Sequence, residues 1–316
     1  MNWKTKAFIQ NIIALLPSDF SYEFYYQLQR RFGSLKKFNP EGRLNSGIGI
    51  AKQLRSLGME IKNKSVFELG TGRAPLAPLA PLAFWLMGAS KIITVDLNPY
   101  VKSELVEDSI KYISENRERI EKLFGEYLVP ERLEKLISFT GKKFCLKDFF
   151  ELCSIEYKAP CDASETFLAE SSIDYFVSCA VMEHIPAGKL KMIIDEGNRI
   201  LKNNGVFINY IDYHDHFATG DKNISAINFL QYSENEWEKF AGNRYMYMNR
   251  LRHDDYIGLF EKAKHKILAV NTTVDKRSEE LLKSGSFVLD KRFTDKDINV
   301  LAVTGAMIAT GKCLDN

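Results

Sequence analysis

The order of residues between Ser65 and Pro99, SVFELGTGRAPLAPLAPLAFWLMGASKIITVDLNP, constrains this chain most. Val66–Leu69 is a short apolar run carrying Glu68, and Gly70-Thr71-Gly72 follows as a turn tight enough for a ligand to lie against bare backbone. The apolar stretch Ala74–Gly88 reads as a helix whose N-terminal amides face that turn. Lys91–Val95 is a second buried strand. Asp96 closes it about 20 residues beyond the glycines, where an acid can take both hydroxyls of a ribose. Together these point to a ligand that contains a nucleoside. The competing reading is an ordinary strand, turn and helix with a capping acid.

The details choose among such ligands. A dinucleotide fingerprint places a third glycine where Pro75 stands, to let helix and strand pack closely. Pyrophosphate binding also draws on free N–H groups at the helix start, and Pro75 and Pro78 remove two of them. A proline in a first turn is well tolerated and suits a ribose and an amino-acid tail beside the loop. Pro78 and Pro81 lie deeper than a first turn normally allows, so the helix is expected to start late or bend. The pattern Glu68-Leu69-Gly70-Thr71-Gly72, with Asp96 ending the next strand, resembles the class I S-adenosylmethionine (SAM)-dependent methyltransferases. In that family a third glycine normally stands where this chain has Ala74.

The rest of the chain fits a doubly wound α/β fold. Ile173–Val181 and Val206–Ile211 read as further strands, and Asp162 as the end of another. Lys189–Leu201 reads as a helix closed by Lys202-Asn203-Asn204-Gly205. The expected architecture is a mostly parallel seven-stranded Rossmann-like sheet over residues 61–316. The resemblance implies an antiparallel last strand, supplied by Ile298–Ala309. Residues 1–60 form a helical N-terminal cap with amphipathic helices at Trp3–Leu16, Tyr22–Phe32 and Leu44–Leu57, Ser18 or Asp19 capping the second. Dense aromatics followed by Arg30, Arg31, Lys36 and Lys37 leave three readings of this cap: a packed layer, a substrate lid or a surface lying on a membrane. Residues 217–264 interrupt the alternation and are expected to cover the substrate.

Composition excludes more than it assigns. A net charge of +2 gives no global reason to expect nucleic acid. Five scattered cysteines without a C-x-x-C pair point to free thiols and a cytoplasmic location. No apolar run approaches the roughly 18 residues of a membrane span.

Ligands of open α/β sheets sit beyond the carboxyl ends of the strands. Carrying the family's roles over, the resemblance implies that Glu68, Gly70, Thr71, Gly72, Asp96 and Leu97 hold the methionine tail and ribose of SAM. Asp162 and Ala163 would meet the adenine, and Ser178 and Ala180 would line the sulfonium side. Asp162 could equally be a helix cap. The run VMEHIP resembles many small-molecule members of the family, and His184 either faces substrate or is a hydrogen-bonded loop histidine. IDYHDHF, after the fifth strand, is the densest polar cluster of the chain. If the backbone stays extended, Asp212, His214 and His216 share one face. The cluster is a general base for the acceptor, a divalent metal site or a structural network. The base reading, with His216, Asp212 and His184 catalytic and no metal, fits an O-methyltransferase, because a hydroxyl must lose a proton and an amine need not.

Phe217–Phe260 resembles methyltransferases encoded in bacterial surface-polysaccharide gene clusters, which implies a carbohydrate or nucleotide-sugar acceptor. His214, Asn249, Arg250 and Arg252 are then substrate-binding candidates, arginine being well shaped for phosphate or carboxylate. The bland alternative for the arginines is a solvated helix start. Tyr245, Tyr247 and Trp237 either stack on a sugar or belong to the core. The other functions considered are O-methylation of an aromatic or lipid-like hydroxyl, and a non-catalytic SAM-fold partner subunit.

Overall fold

The two apolar runs flanking the glycine turn lie side by side near the middle of one sheet. The computed structural model describes residues 1–32, 39–72, 78–140 and 143–313, with the backbone alone for Ser18 and Asp19. Lys36, Lys37, Arg73, Ala74 and Pro75, and the capping side chains expected at Ser18 and Asp19, therefore lie outside what is described. The strands are β1 (Ser65–Leu69), β2 (Lys91–Val95), β3 (Ile155–Lys158), β4 (Ile173–Cys179), β5 (Leu201–Asp212), β6 (His265–Val274) and β7 (Val303–Lys312). Their order is β3-β2-β1-β4-β5-β7-β6, with β7 antiparallel to both neighbours and the other pairings parallel. This is the doubly wound, mostly parallel seven-stranded sheet expected.

Helices α1 (Trp3–Ala14), α2 (Ser18–Phe32) and α3 (Glu41–Ser56) precede β1, and α4 (Leu79–Leu86) joins β1 to β2. Between β2 and β3 run α5 (Ser103–Glu115), α6 (Arg117–Phe124), α7 (Pro130–Ile137) and α8 (Leu146–Leu152). The helix α9 (Ala187–Ile200) joins β4 to β5, and α10 (Glu234–Ala241) and α11 (His253–Lys262) lie between β5 and β6. The last pair, α12 (Lys276–Lys283) and α13 (Ile298–Leu301), separates β6 from β7.

Side chains alternate across the strands, as the pleat requires. Val66 joins a core with Ile92, Val177 and the buried face of α4, while Phe67 and Leu69 join Ile93, Phe176 and Phe207 on the other face. Helix α4 starts only at Leu79 with Pro78 as its N-cap, the late start that the prolines imply.

The cap of residues 1–60 is not one layer. Leu44, Ile48, Ala51 and Leu54 of α3 belong to the first core, whereas Trp3 of α1 packs with Phe217, Trp237 and Phe293 in a third cluster. Phe8 and Ile12 of α1, and Leu15 just after it, face outward. Among the described residues no helix is long and apolar enough to cross a membrane.

Several boundaries differ from the sequence reading. Helix α9 passes straight into β5 at Leu201, so Lys202-Asn203-Asn204-Gly205 is no helix cap. It is an irregularity in β5: the register jumps from Ile173↔Leu201 to Tyr175↔Val206. Gly205 is needed there because a Cβ would stand 2.8 Å from the Asp174 carbonyl oxygen. The apolar run Ile298–Ala309 is split, since Asp297 accepts from the Asn299 amide and starts α13, leaving β7 to begin at Val303. The interruption is also shorter than residues 217–264, because Tyr256 and Phe260 of α11 pack in the second sheet-facing core. Finally, β3 ends at Lys158, so Asp162 lies in the loop beyond it rather than at its end.

Candidate active site

The carboxyl ends of β1 to β4 open into a cleft of about 260 Å³. Its walls include Gly70, Asp96, Leu97, Asp162, Ala163 and His184, residues nominated from four separate parts of the chain. Gly70 (φ +79°) and Gly72 (φ +92°) both adopt the left-handed conformation that glycine takes without steric cost. At Gly70 the approach is tight as well: a Cβ would stand 2.6 Å from Cγ2 of Val181. Asp96 organises this turn. Its Oδ2 accepts from the Gly72 amide at 3.1 Å and its Oδ1 from the Asn98 amide at 3.1 Å. Leu97 is exposed at the rim.

Across the cleft, Asp162 Oδ2 lies 2.7 Å from Nζ of Lys189, while its Oδ1 accepts from the amide and hydroxyl of Ser164. The Lys189 contact leads the causes that hold the Asp162 carboxyl below the usual range. Tyr100, also in the wall, meets Tyr22 of α2 edge-on at 5.1 Å, so the N-terminal segment reaches the cleft.

Three residues expected at the cofactor point inward instead. The hydroxyl of Thr94 donates to Glu68 Oε2 at 2.6 Å and contacts the Thr71 hydroxyl at 2.6 Å, within the sheet. Ser178 is fully buried and donates to Asn209 Oδ1 at 2.7 Å. Their side chains therefore brace the strand ends, and only the backbone of Thr71 adjoins the turn. Ala180 (φ +54°) lies in a neighbouring depression, with Arg43 and Cys179.

Arg43, near the start of α3, went unmarked in the sequence. Its Nη1 donates to the Cys179 carbonyl at 3.1 Å, and its Nη2 comes within 3.8 Å of where a Gly72 Cβ would be. Its Nε is buried without a hydrogen-bond partner. A guanidinium so placed is a ready partner for a carboxylate. No local pattern signals it, because its partners come from other strands.

Burial is the main influence on Glu68 and raises its carboxyl to about 7, against the opposing attraction of Arg43. The folded state therefore prefers the protonated acid. That preference is fully present below pH ~4.5 and is lost as pH rises through about 7, a swing of ~3 kcal/mol. Denaturant titrations at pH 5 and pH 8 should show the wild type losing stability relative to Glu68→Gln. Parallel pH dependence in the two proteins would remove this assignment.

Beyond His184 stands the second cluster. Strand β5 ends at Asp212, so the extended face expected for Asp212, His214 and His216 does not form. Instead the His214 amide donates to Asp212 Oδ1 at 2.9 Å, and the chain turns to bring His216 Nε2 within 3.5 Å of Asp212 Oδ2. The rings of His184 and His216 lie 5.0 Å apart. Burial works to raise the Asp212 carboxyl, but His216 and the His214 amide outweigh it and hold it low. His214 itself is lowered by burial. Tyr213 is core, and Asp215 accepts from the Phe217 amide and the Asn228 side chain.

The remaining substrate candidates serve the fold. The guanidinium of Arg250 is buried and donates to the carbonyls of Phe229 and Tyr232 and to Glu234. That of Arg252 is also buried and donates to the carbonyls of Tyr213, Leu301 and Val303. Neither can present its fork to a ligand. Asn249 is buried as well: its side chain donates to the carbonyls of Met182 and Ile185 at 2.9 Å each, and its amide to that of Glu183 at 2.8 Å. It clamps the turn that carries His184. Trp237 sits in the third core, and Tyr245 packs against Tyr22 and Tyr25. Glu183, passed over within VMEHIP, lies fully buried beside His184 and His216.

No protein-family model matches the chain, and no curated protein does. Solved structures are similar in fold. A protein of Pyrococcus horikoshii OT3 is 13% identical over 92% of this chain and 98% of its own, with a TM-score of 0.48. The geranyl diphosphate C-methyltransferase of Streptomyces coelicolor A3(2) is 10% identical over 84% and 80%, with a TM-score of 0.46. The 1,6-didemethyltoxoflavin-N1-methyltransferase of Burkholderia thailandensis is 10% identical over 95% and 91%, with a TM-score of 0.45. None of these likenesses extends to a substrate.

Proposed function

We propose that the chain is a SAM-dependent methyltransferase that methylates a hydroxyl of a small molecule, with a sugar or nucleotide sugar as the acceptor. The cleft carries this reading. Six residues nominated for the cofactor or its neighbour, from four loops, line one cavity at the carboxyl edge of the sheet. The residues present fit the cofactor's parts. Asp96 would take the ribose hydroxyls, Asp162 and the Ala163 amide the adenine edge, and Leu97 the purine face. Gly70 and Gly72 let the backbone approach, and Arg43, whose Nη2 comes within 3.8 Å of where a Gly72 Cβ would be, is the group suited to the amino-acid carboxylate.

When bound, SAM supplies a methyl group on a sulfonium sulfur, whose departure as a thioether needs no proton. The protein's tasks are then alignment and, for a hydroxyl acceptor, removal of its proton. His216, set beside Asp212 and facing His184, is the group proposed for that step. The histidines favour a hydroxyl over an amine. A sugar is what the resemblance read in the sequence of residues 217–260 implies.

Thermal melting with SAM, S-adenosylhomocysteine (SAH) and NAD tests the cofactor. Both sulfur ligands should stabilise the protein by ~2.7 kcal/mol at a hundredfold excess over Kd. Stabilisation by NAD alone would overturn the proposal.

A further inference from the structure

The turn Met182–His184 and the chain beyond β5 place three ligand-type side chains together. One atom each from Glu183, His184 and His216 lies within 4.8 Å of the others. We propose that these residues form a divalent transition-metal site on the acceptor side of the cleft, with Asp212 as the carboxylate that orients His216.

Three observations carry this. The first is Glu183. It is 2% exposed, and neither carboxylate oxygen has a hydrogen-bond partner. Buried acceptors are almost always satisfied, and an orphaned carboxylate aimed at two imidazoles is satisfied by a cation between them. The second is the histidine geometry. Nδ1 of His184 lies 2.8 Å from the Tyr247 carbonyl oxygen, which can only accept, so Nδ1 carries a hydrogen and in the neutral ring Nε2 is the nitrogen with the lone pair. Metal-ligating histidines are typically held in this way, the far nitrogen donating to a carbonyl or carboxylate. The third is rigidity. Asn249 holds the carbonyls of Met182, Glu183 and Ile185, so the turn presents Glu183 and His184 together. Ligands bonded at about 2.1 Å stand roughly 3–4 Å apart, so closing around an ion takes side-chain shifts of about an ångström.

Two imidazoles and a carboxylate favour Zn²⁺, Co²⁺, Fe²⁺ or Mn²⁺ over Mg²⁺. Three protein ligands would leave positions open for an acceptor, and His184 is the one of the three that lines the cleft. The ion's catalytic role rests on the methyltransferase reading; its binding does not. An acceptor hydroxyl polarised there would lose its proton to solvent more readily, its oxygen pair forming the O–CH₃ bond while the S–C pair leaves with the thioether. With an ion in place His216 would act as a ligand rather than as the base, with Asp212 still holding its ring.

The test is a Co²⁺ titration of the full chain after treatment with EDTA, followed by calorimetry and visible absorption. One equivalent should bind, and Glu183→Gln and His184→Ala should each weaken binding at least tenfold. Losing a ligand should cost no less than the ~10–100-fold that losing an outer partner costs. Glutamine keeps the buried shape of Glu183 and His184 is exposed, so both variants should melt like the metal-free wild type. If Glu183→Gln does not fold, His184→Ala decides alone. Absence of saturable binding of Co²⁺, Zn²⁺ and Mn²⁺ to the wild type, or undiminished binding in the folded variants, would overturn the site. Binding of SAH, measured separately on the metal-free protein, keeps the two readings apart. Failure of SAH would sink the methyltransferase and leave the ion. Full turnover after the ion is removed would remove its catalytic role.

Discussion

Replacing His216 with alanine is expected to lower methyl-transfer turnover by ~10²–10⁴-fold, the usual worth of a positioned acid–base group. The affinity for SAH should not change, because among the described residues His216 does not line the cleft but stands beside His184, which does. Asp212→Asn should give a smaller loss, since it keeps the turn closed by the His214 amide while removing the charge beside His216. Steady-state rates on an acceptor found by screening nucleotide sugars, paired with SAH calorimetry, separate the two quantities. Unchanged turnover in His216→Ala would remove the residue from the chemistry. A parallel loss of SAH affinity would move it to the cofactor.

The second large effect is on stability. Arg252→Met should destabilise the protein by ~3–5 kcal/mol, because it removes a fully buried fork from the carbonyls of Tyr213, Leu301 and Val303. Burial pulls the Arg252 guanidinium down to about 10, so it remains charged at neutral pH and its hydrogen bonds are charge-assisted. Denaturant unfolding measures the change. A variant with wild-type stability and impaired acceptor binding would return Arg252 to the ligand-facing role first expected of it.

That contrast shows where the sequence is informative. Glycines in a turn and an acid after an apolar strand act locally, so β1, the glycine turn and β2 with Asp96 could be read directly. The ends of β1 to β4 meet because strands of one sheet share their carboxyl edge, which makes Asp96, Asp162 and His184 legible as neighbours from the sequence alone. Arg250 and Arg252 were misread for a general reason. Arginines are mostly exposed, and a guanidinium satisfied by main-chain carbonyls leaves no partner residue to notice. Arg43 and Glu183 were missed because what marks them is tertiary. One reaches across to β4, and the other is an acid whose burial among histidines depends on the turn after β5. The break before β7 hides in a mostly apolar run, where Asp297 signals that a helix intervenes.

The amide of Trp3 donates to Asp221 at 3.0 Å, across 218 positions of chain, and its ring packs on Phe217, Tyr232, Trp237 and Phe240. During synthesis the first helix must therefore wait, its indole uncovered, until most of the sheet has been made. Contacts of such sequence separation are slow to form because the intervening loop must close first. The aromatic cluster is thus expected to be among the last parts of the molecule to consolidate, a late-locking seam between the two ends of the folding reaction.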